Sequence, residues 1–247
     1  MAADVRYQGV VVKKVAYRDS DLVLGIFTKE DGKISVFVPG ARKSTKRFGP
    51  YLDLFAEVHL VASQHPQQSL LRLKETELVS PHMNVRKNLT SLGFVTYYAE
   101  CLWNLLADHD PHVDIYTHMV SMMDQVHADK DNFQKLLTYE FQLLTMCGYR
   151  PGFQQCGDCK QAVVERAFFS YTKGNVICRE CHHTDHGIFI SDKTMQHLQR
   201  KQPWDAYSYA EMRDLMASFV SYTIGKDLKS HMFRRATTRS LHVPHSN

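Results

Sequence analysis

The chain has 247 residues, 44% of them hydrophobic, with 30 lysines and arginines against 26 acids for a formal net charge of +4. That is enough to bury two or three ordinary cores, and it excludes collagen-like, low-complexity and disulfide-dense classes. The amino terminus Met1-Ala2-Ala3-Asp4-Val5-Arg6 lacks an apolar leader core and no uncharged run approaches a membrane span, so a cytoplasmic protein without membrane contact is expected.

Short strands with turn punctuation are predicted at 5–12, 22–27, 34–38, 54–61 and 70–78. Asp31-Gly32 joins the second and third as a hairpin turn, because glycine supplies the positive φ that tight hairpins need. Pro39 and Gly40 on one side, and Gly49 and Pro50 on the other, bracket a polar loop. Five strands with one long loop fit a small closed barrel, either OB-type or SH3-like. The loop carries Arg42, Lys43, Lys46 and Arg47 without an acid, interleaved with Ser44 and Thr45. Such a loop presents cationic and hydroxyl donors to phosphates, and counterion release supplies affinity without sequence preference. Phe37, Phe48 and Tyr51 lie near enough either to stack on bases or to fill the core.

After Pro81 the period becomes helical. Leu89, Leu92, Val95, Tyr98, Ala99, Leu102 and Leu106 mark a helix over 85–106, Asp110-Pro111 opens a second running to 126, and a third spans 132–147. Gly148 and Pro151 end the third. Met119, Met122, Met123, Met212 and Met216 are read as core filler, and Cys101 and Cys147 as small buried hydrophobes.

Cys156-Gly157-Asp158-Cys159 and Cys178-Arg179-Glu180-Cys181 are two CxxC knuckles separated by residues 160–177. Each knuckle turns both sulfurs to one centre, and a hairpin between them closes a tetrahedron of thiolates around one structural Zn2+. Four thiolates leave no open position for water or substrate, which argues against a catalytic metal. His182, His183 and His186 are read as loop residues. The module at 153–187 contains a strand at 167–171 and a turn at Lys173-Gly174-Asn175, and is too small to fold without its metal.

Helical signals resume with Ser191 as an N-cap, Ser208-Tyr209-Ala210-Glu211 as a capping box, and a long helix to 224. Lys226, Lys229, Arg234 and Arg235 then form a candidate second DNA-binding stretch, although basic residues near a helix end also satisfy its carbonyls. The expected divisions are a DNA-binding barrel at 1–80, helical parts at 81–152 and 188–237 around the zinc module, and a disordered tail at 238–247. No Walker loop, HExxH or GxSxG occurs, so no enzymatic activity is expected.

Four features in order carry a resemblance: the loop Pro39-Gly40-Ala41-Arg42-Lys43-Ser44, the helix end Leu144-Thr145-Met146-Cys147-Gly148-Tyr149-Arg150-Pro151, the knuckles, and Ile224-Gly225-Lys226-Asp227-Leu228-Lys229-Ser230. Over nearly its whole length the chain resembles the RecO family of bacterial recombination mediator and DNA repair proteins. One departure is Lys160, which stands where glycine is common in that family. The resemblance implies an α+β multi-domain fold, with an N-terminal OB-type β-barrel followed by an α-helical bundle domain carrying a four-cysteine zinc finger. It implies binding of single- and double-stranded DNA, annealing of complementary strands, capture of the acidic C-terminal tail of single-stranded-DNA-binding protein, and cooperation with RecR in loading RecA. It implies a bacterial cytoplasmic, nucleoid-associated protein. Carried onto this sequence, DNA contact falls on Arg42, Lys43, Lys46 and Arg47, and the metal on Cys156, Cys159, Cys178 and Cys181. The alternative is a zinc-stabilised protein-interaction adaptor with incidental DNA contact. A zinc hydrolase is a third and weaker reading.

Overall fold

The computed structural model describes residues 3–43, 48–64, 70–126, 133–182, 185–200 and 204–239. The chain divides into two compact units, Met1–Val126 and His127–Asn247.

The first unit is built on five strands: β1 (Ala3–Tyr17), β2 (Asp21–Thr28), β3 (Gly32–Val38), β4 (Glu57–Gln64) and β5 (Leu71–Ser80). They close into a barrel in the order β1-β2-β3-β5-β4, with β3 and β5 parallel and the other pairs antiparallel. That strand order makes the barrel OB-type and settles the choice left open with an SH3-like barrel. β1 serves both ends of the closure. Its first part pairs with β4 and its second with β2, and a register shift between Val11 and Lys13 bends the strand from one partner to the other. Gly9 permits the close approach, because a Cβ there would lie 2.6 Å from the Ile26 side chain. Val11, Leu24, Ile26, Ile34, Val36, Val58, Leu60 and Leu71 alternate inward to fill the barrel.

Strand β1 continues to Tyr17, well past the expected end at residue 12, as an exposed ribbon with β2. Residues 13–17 are all exposed, so no burial pattern marks them in the sequence. Strand β4 starts three residues later than expected because Phe55, at φ 68, turns the chain before Glu57.

Three helices follow in this unit: α1 (Met83–Arg86), α2 (Leu89–Leu105) and α3 (Val113–Gln125). The single helix expected over 85–106 is therefore broken. Asn88 adopts an extended conformation and its side chain accepts from the Ser91 amide, so it caps α2 rather than continuing α1. Leu89, in the first turn of α2, is exposed rather than part of the buried stripe. Buried Lys33 on β3 donates to the Trp103 carbonyl at 2.6 Å and pairs with Asp108 at 3.1 Å, clipping the end of α2 to the barrel. Glu57 on β4 does the same for α1 and α3. It accepts from Tyr116 at 2.6 Å and Gln8 at 2.9 Å, and lies 3.4 Å from His82, whose other ring nitrogen is 2.7 Å from Asp124.

The second unit contains α4 (Phe133–Met146), a three-stranded antiparallel sheet of β6 (Ala167–Ser170), β7 (Asn175–Ile177) and β8 (Gly187–Ile190), then α5 (Asp192–Arg200), α6 (Ala206–Ile224) and α7 (Lys229–Arg239). The sheet order is β7-β6-β8. An aromatic column of Phe141, Phe153, Phe169 and Phe219, with centroids 5.6, 5.1 and 5.4 Å apart, joins α4, the sheet and α6. Ser191 caps α5 as expected, its hydroxyl accepting from the Thr194 amide. The capping box placed at Ser208 is corrected. Asp205 caps α6 by accepting from the Ser208 amide at 2.9 Å, and Glu211 instead holds Ser191 through both its amide and its hydroxyl. Helix α7 runs to Arg239, two residues into the stretch expected to be a disordered tail. Met119, Met122, Met123, Met212 and Met216 are all fully buried, as read from their spacing, while Cys147 is only half-buried. Among the described residues, no helix is long and apolar enough to cross a membrane.

Candidate nucleic-acid interface and metal centre

The β1–β2 ribbon and the loop after β3 meet at one end of the barrel. Asp21 organises the meeting. Its carboxylate accepts from the Gly40 amide at 2.8 Å and the Ser20 hydroxyl at 2.9 Å, and these bonds hold its pKa below the usual carboxylate range. The Arg42 amide donates to the Ser20 carbonyl at 2.9 Å, and its guanidinium reaches the Arg18 carbonyl at 3.3 Å. Arg42 and Lys43 are exposed beside this turn. Lys46 and Arg47, and with them Ser44 and Thr45, lie outside the described residues.

Two residues that sequence reasoning missed complete the surface. Tyr17 is exposed and meets half-buried Phe37 edge-on at 5.9 Å, and the Arg18 guanidinium lies 5.2 Å from the Tyr17 ring centre. The arrangement offers aromatic and cationic faces side by side, the pairing that single-strand binders use for bases and phosphates. The signal is present in the sequence, where Tyr17 precedes the turn at 18–20 and Arg18 opens it, but the strand expected there ends at residue 12. Phe48, by contrast, is buried in the barrel core and Tyr51 packs against that core, so Phe48 is no stacking residue.

In the second unit, one ligand atom from each of Cys156, Cys159, Cys178 and Cys181 falls within 4.8 Å of all the others. The first knuckle is fixed by the Cys156 amide donating to Gln161 at 2.8 Å and the Gly157 amide donating to Val176 at 2.9 Å. Lys160 takes φ 63 to let the chain turn back, the left-handed conformation that glycine adopts without strain. The hairpin of β6 and β7 delivers the second knuckle, and Lys173 ties its turn to Asp158 at 2.6 Å. A tetrahedral thiolate site with metal–sulfur bonds of about 2.3 Å has edges of about 3.8 Å. The Cys159 and Cys178 sulfurs are 3.8 Å apart.

The electrostatics fit a cation. Burial opposes the Cys156 thiolate, yet amides of Cys178, Asp158 and Cys159 pull its pKa down to about 6. Hydrogen bonds with the Cys178 and Cys159 sulfurs push Cys181 up to about 12. The cluster by itself thus favours one thiolate and opposes another, an opposition that a divalent cation removes. His182 packs its ring on Phe168 and His186 is exposed next to Tyr222, while His183 lies outside the described residues.

The second basic stretch does not survive whole. Lys226 and Lys229 are exposed, but Arg234 is 1% exposed and grips Glu140 of α4 through both guanidinium nitrogens, at 2.8 and 3.3 Å. A guanidinium buried in this way cannot reach a phosphate, so Arg234 is corrected from a DNA-contacting to a structural residue. Arg235 is half-buried and lies 3.6 Å from Asp214.

The family model described as recombination protein O N terminal matches residues 1–82, and that described as recombination protein O C terminal matches residues 86–232. Among curated relatives, the DNA repair protein RecO of Myxococcus xanthus is 28% identical over 229 residues, covering 90% of this chain and 93% of the relative. The protein of the same name from Anaeromyxobacter sp. strain Fw109-5 is 26% identical over 246 residues, covering 94% and 96%. That from Pelobacter propionicus is 27% identical over 190 residues, covering 77% and 76%. The first match ends just past β5 and the second runs from the end of α1 through the cysteines to the first turn of α7, so both parts of the fold are matched in order. The chain belongs to the recombination protein O family, RecO.

Proposed function

We propose that this chain is a non-catalytic DNA repair and homologous-recombination mediator. It binds single- and double-stranded DNA without sequence specificity and anneals complementary strands. With RecR, it helps load RecA onto DNA coated by single-stranded-DNA-binding protein, whose C-terminal tail it engages. The observation that carries this reading is the exposed end of the OB-type barrel, where Arg18 lies over the Tyr17 ring beside Phe37, Arg42 reaches the Arg18 carbonyl and Lys43 is exposed next to it. Support also comes from the relatives, which bear the name DNA repair protein RecO. Cations take the phosphates while Tyr17 offers a face to a base, so the strand is held by groups common to every sequence. Lys46 and Arg47 are read as the rest of that phosphate track. Cys156, Cys159, Cys178 and Cys181 hold one Zn2+ that shapes the second unit, and thiolates filling all four positions leave none for a reacting group.

The test is annealing of complementary fluorescent strands, with and without single-stranded-DNA-binding protein, at several salt concentrations. Four loop contacts give a log-log salt slope of roughly −3 for single strands, and Arg42→Glu with Lys43→Glu should flatten it by about 1.4 while slowing annealing. Binding to the coating protein without any annealing would instead identify an adaptor.

A further inference from the structure

The two stretches around Gly148 and Gly225, singled out in the sequence, are not used by the barrel interface. In the second unit they line two adjoining hollows that together make an open trough. One part, of about 340 Å³, is lined by Tyr149, Arg150 and Tyr171, and the other, of about 950 Å³, by Tyr171, Tyr222 and Lys226. Tyr171 and Tyr222 line both parts, so the two hollows adjoin at this ring pair. Three chain reversals converge on it, after α4, before β7 and after α6, each made by a glycine with positive φ: Gly148, Gly174 and Gly225.

Its floor is aromatic. The His186 and Tyr222 rings are 5.8 Å apart at 32°, and Tyr222 and Tyr171 are 5.7 Å apart at 40°. Tyr171 is backed by buried Phe219 and Phe169, which fixes its orientation. Tyr222 is 42% exposed, so a planar ligand can reach its face. Cations stand in both parts. Arg150 and Lys226 are exposed, and among the described residues neither has an ion-pair partner. Lys173 on the wall is already committed to Asp158, and Asp227 is the lining carboxylate beside Lys226.

From this geometry we infer that the trough is a second single-strand nucleic-acid site, with Tyr222 and Tyr171 stacking bases and Arg150 and Lys226 holding phosphates on either side. A row of ring faces flanked by separated, unpaired cations suits the repeating base and phosphate of a strand. A closed apolar socket beside clustered cations would suit the aromatic end of an acidic peptide, and both hollows here are open. The inference rests on the annealing reading and gives it a physical route. A barrel that holds one strand and a trough that holds the other raise the effective concentration of the two complements on one protein.

The experiment uses the full-length, zinc-loaded chain. An oligonucleotide carrying 5-iododeoxyuridine is photocrosslinked to the wild type, and crosslinked peptides are mapped by mass spectrometry. Crosslinks to the peptides holding Tyr171 or Tyr222 are expected, and their absence alongside crosslinks at the barrel would overturn the site. In parallel, Tyr222→Ala should slow annealing about ten-fold through loss of one stacked base, with first-strand binding at the barrel unchanged. Arg150→Glu with Lys226→Glu should reduce the salt slope of second-strand binding by about 1.4. Annealing at the wild-type rate in both variants would sink the inference. So would displacement of the crosslink by an Asp-rich peptide ending in phenylalanine but not by excess unlabelled oligothymidine, which would make the trough a peptide site. The two readings fail separately: the barrel reading falls if Arg42→Glu with Lys43→Glu anneals normally, and the trough falls if only its own variants do.

Discussion

Arg234 and Arg235 are neighbours in sequence, yet one is sealed against Glu140 and the other is half-buried beside Asp214, because successive residues on a helix point about 100° apart. A cluster of basic letters therefore says little about a surface until the helix face is known. Removing one partner of a buried pair leaves the other uncompensated, so Arg234→Ala should cost roughly 3 kcal/mol or more in chemical denaturation. The salt slope of DNA binding should stay as in the wild type. A changed slope with unchanged stability would return Arg234 to the DNA surface. Lys160 carries the converse lesson. The departure from glycine was visible in the sequence, but the left-handed backbone it has to adopt was not.

Between elements, one contact sensitive to pH is that fastening α1 and α3 to the barrel. The Glu57 pKa is drawn down to about 2, chiefly by His82, against burial and with help from Tyr116 and Gln8. Burial opposes protonation of His82, but Glu57 and Asp124 outweigh it and raise its pKa. The depressed Glu57 contributes stability that is present above about 4.5 and lost as pH falls towards 2. The raised His82 contributes stability that is complete below about 6.5 and lost as pH climbs through its folded-state value. Thermal melting should therefore show this contribution at its fullest between about pH 4.5 and 6.5. Glu57→Ala should remove the acid flank, weaken the alkaline one that Asp124 still supports, and cost about 3 kcal/mol inside that window. A variant with the wild-type pH profile would refute the assignment. None of this fastening was legible beforehand, since Glu57, His82, Tyr116 and Asp124 come from three separate stretches and no spacing links them. The knuckles were legible because each ligand pair is local. Their removal is testable at the same scale. Cys156→Ser, or a strong chelator, should release about one equivalent of zinc and melt β6 to β8 at lower temperature, because metal binding there is folding energy. Unchanged zinc content and melting would contradict the metal reading.

Across the whole molecule, the order of the parts was readable while several of their limits were not. Alternation gave five strands, helical period gave the later helices, and paired CxxC gave the centre between them. Closure in the order β1-β2-β3-β5-β4 depends on which strands pair over long separations, and that is what local pattern does not encode. The exposed ribbon and the trough were missed for a related reason: each is assembled from distant stretches, and neither is marked by burial. Barrel closure has one more effect. A strand paired on both sides offers no free row of amides and carbonyls, and closure pairs most strand edges of the first unit, although β3 and β5 meet only at Val36–Leu71 and Phe37–Arg72. The sheet of the second unit is open, with β7 and β8 as its two rims, and β8 shows exposed Ile188 and Phe189. Chelation would loosen the strands holding those rims in place. On the proposal that these cysteines hold zinc, its loss becomes a colloidal matter as well as a structural one, with self-association expected to begin at β8 rather than at the barrel.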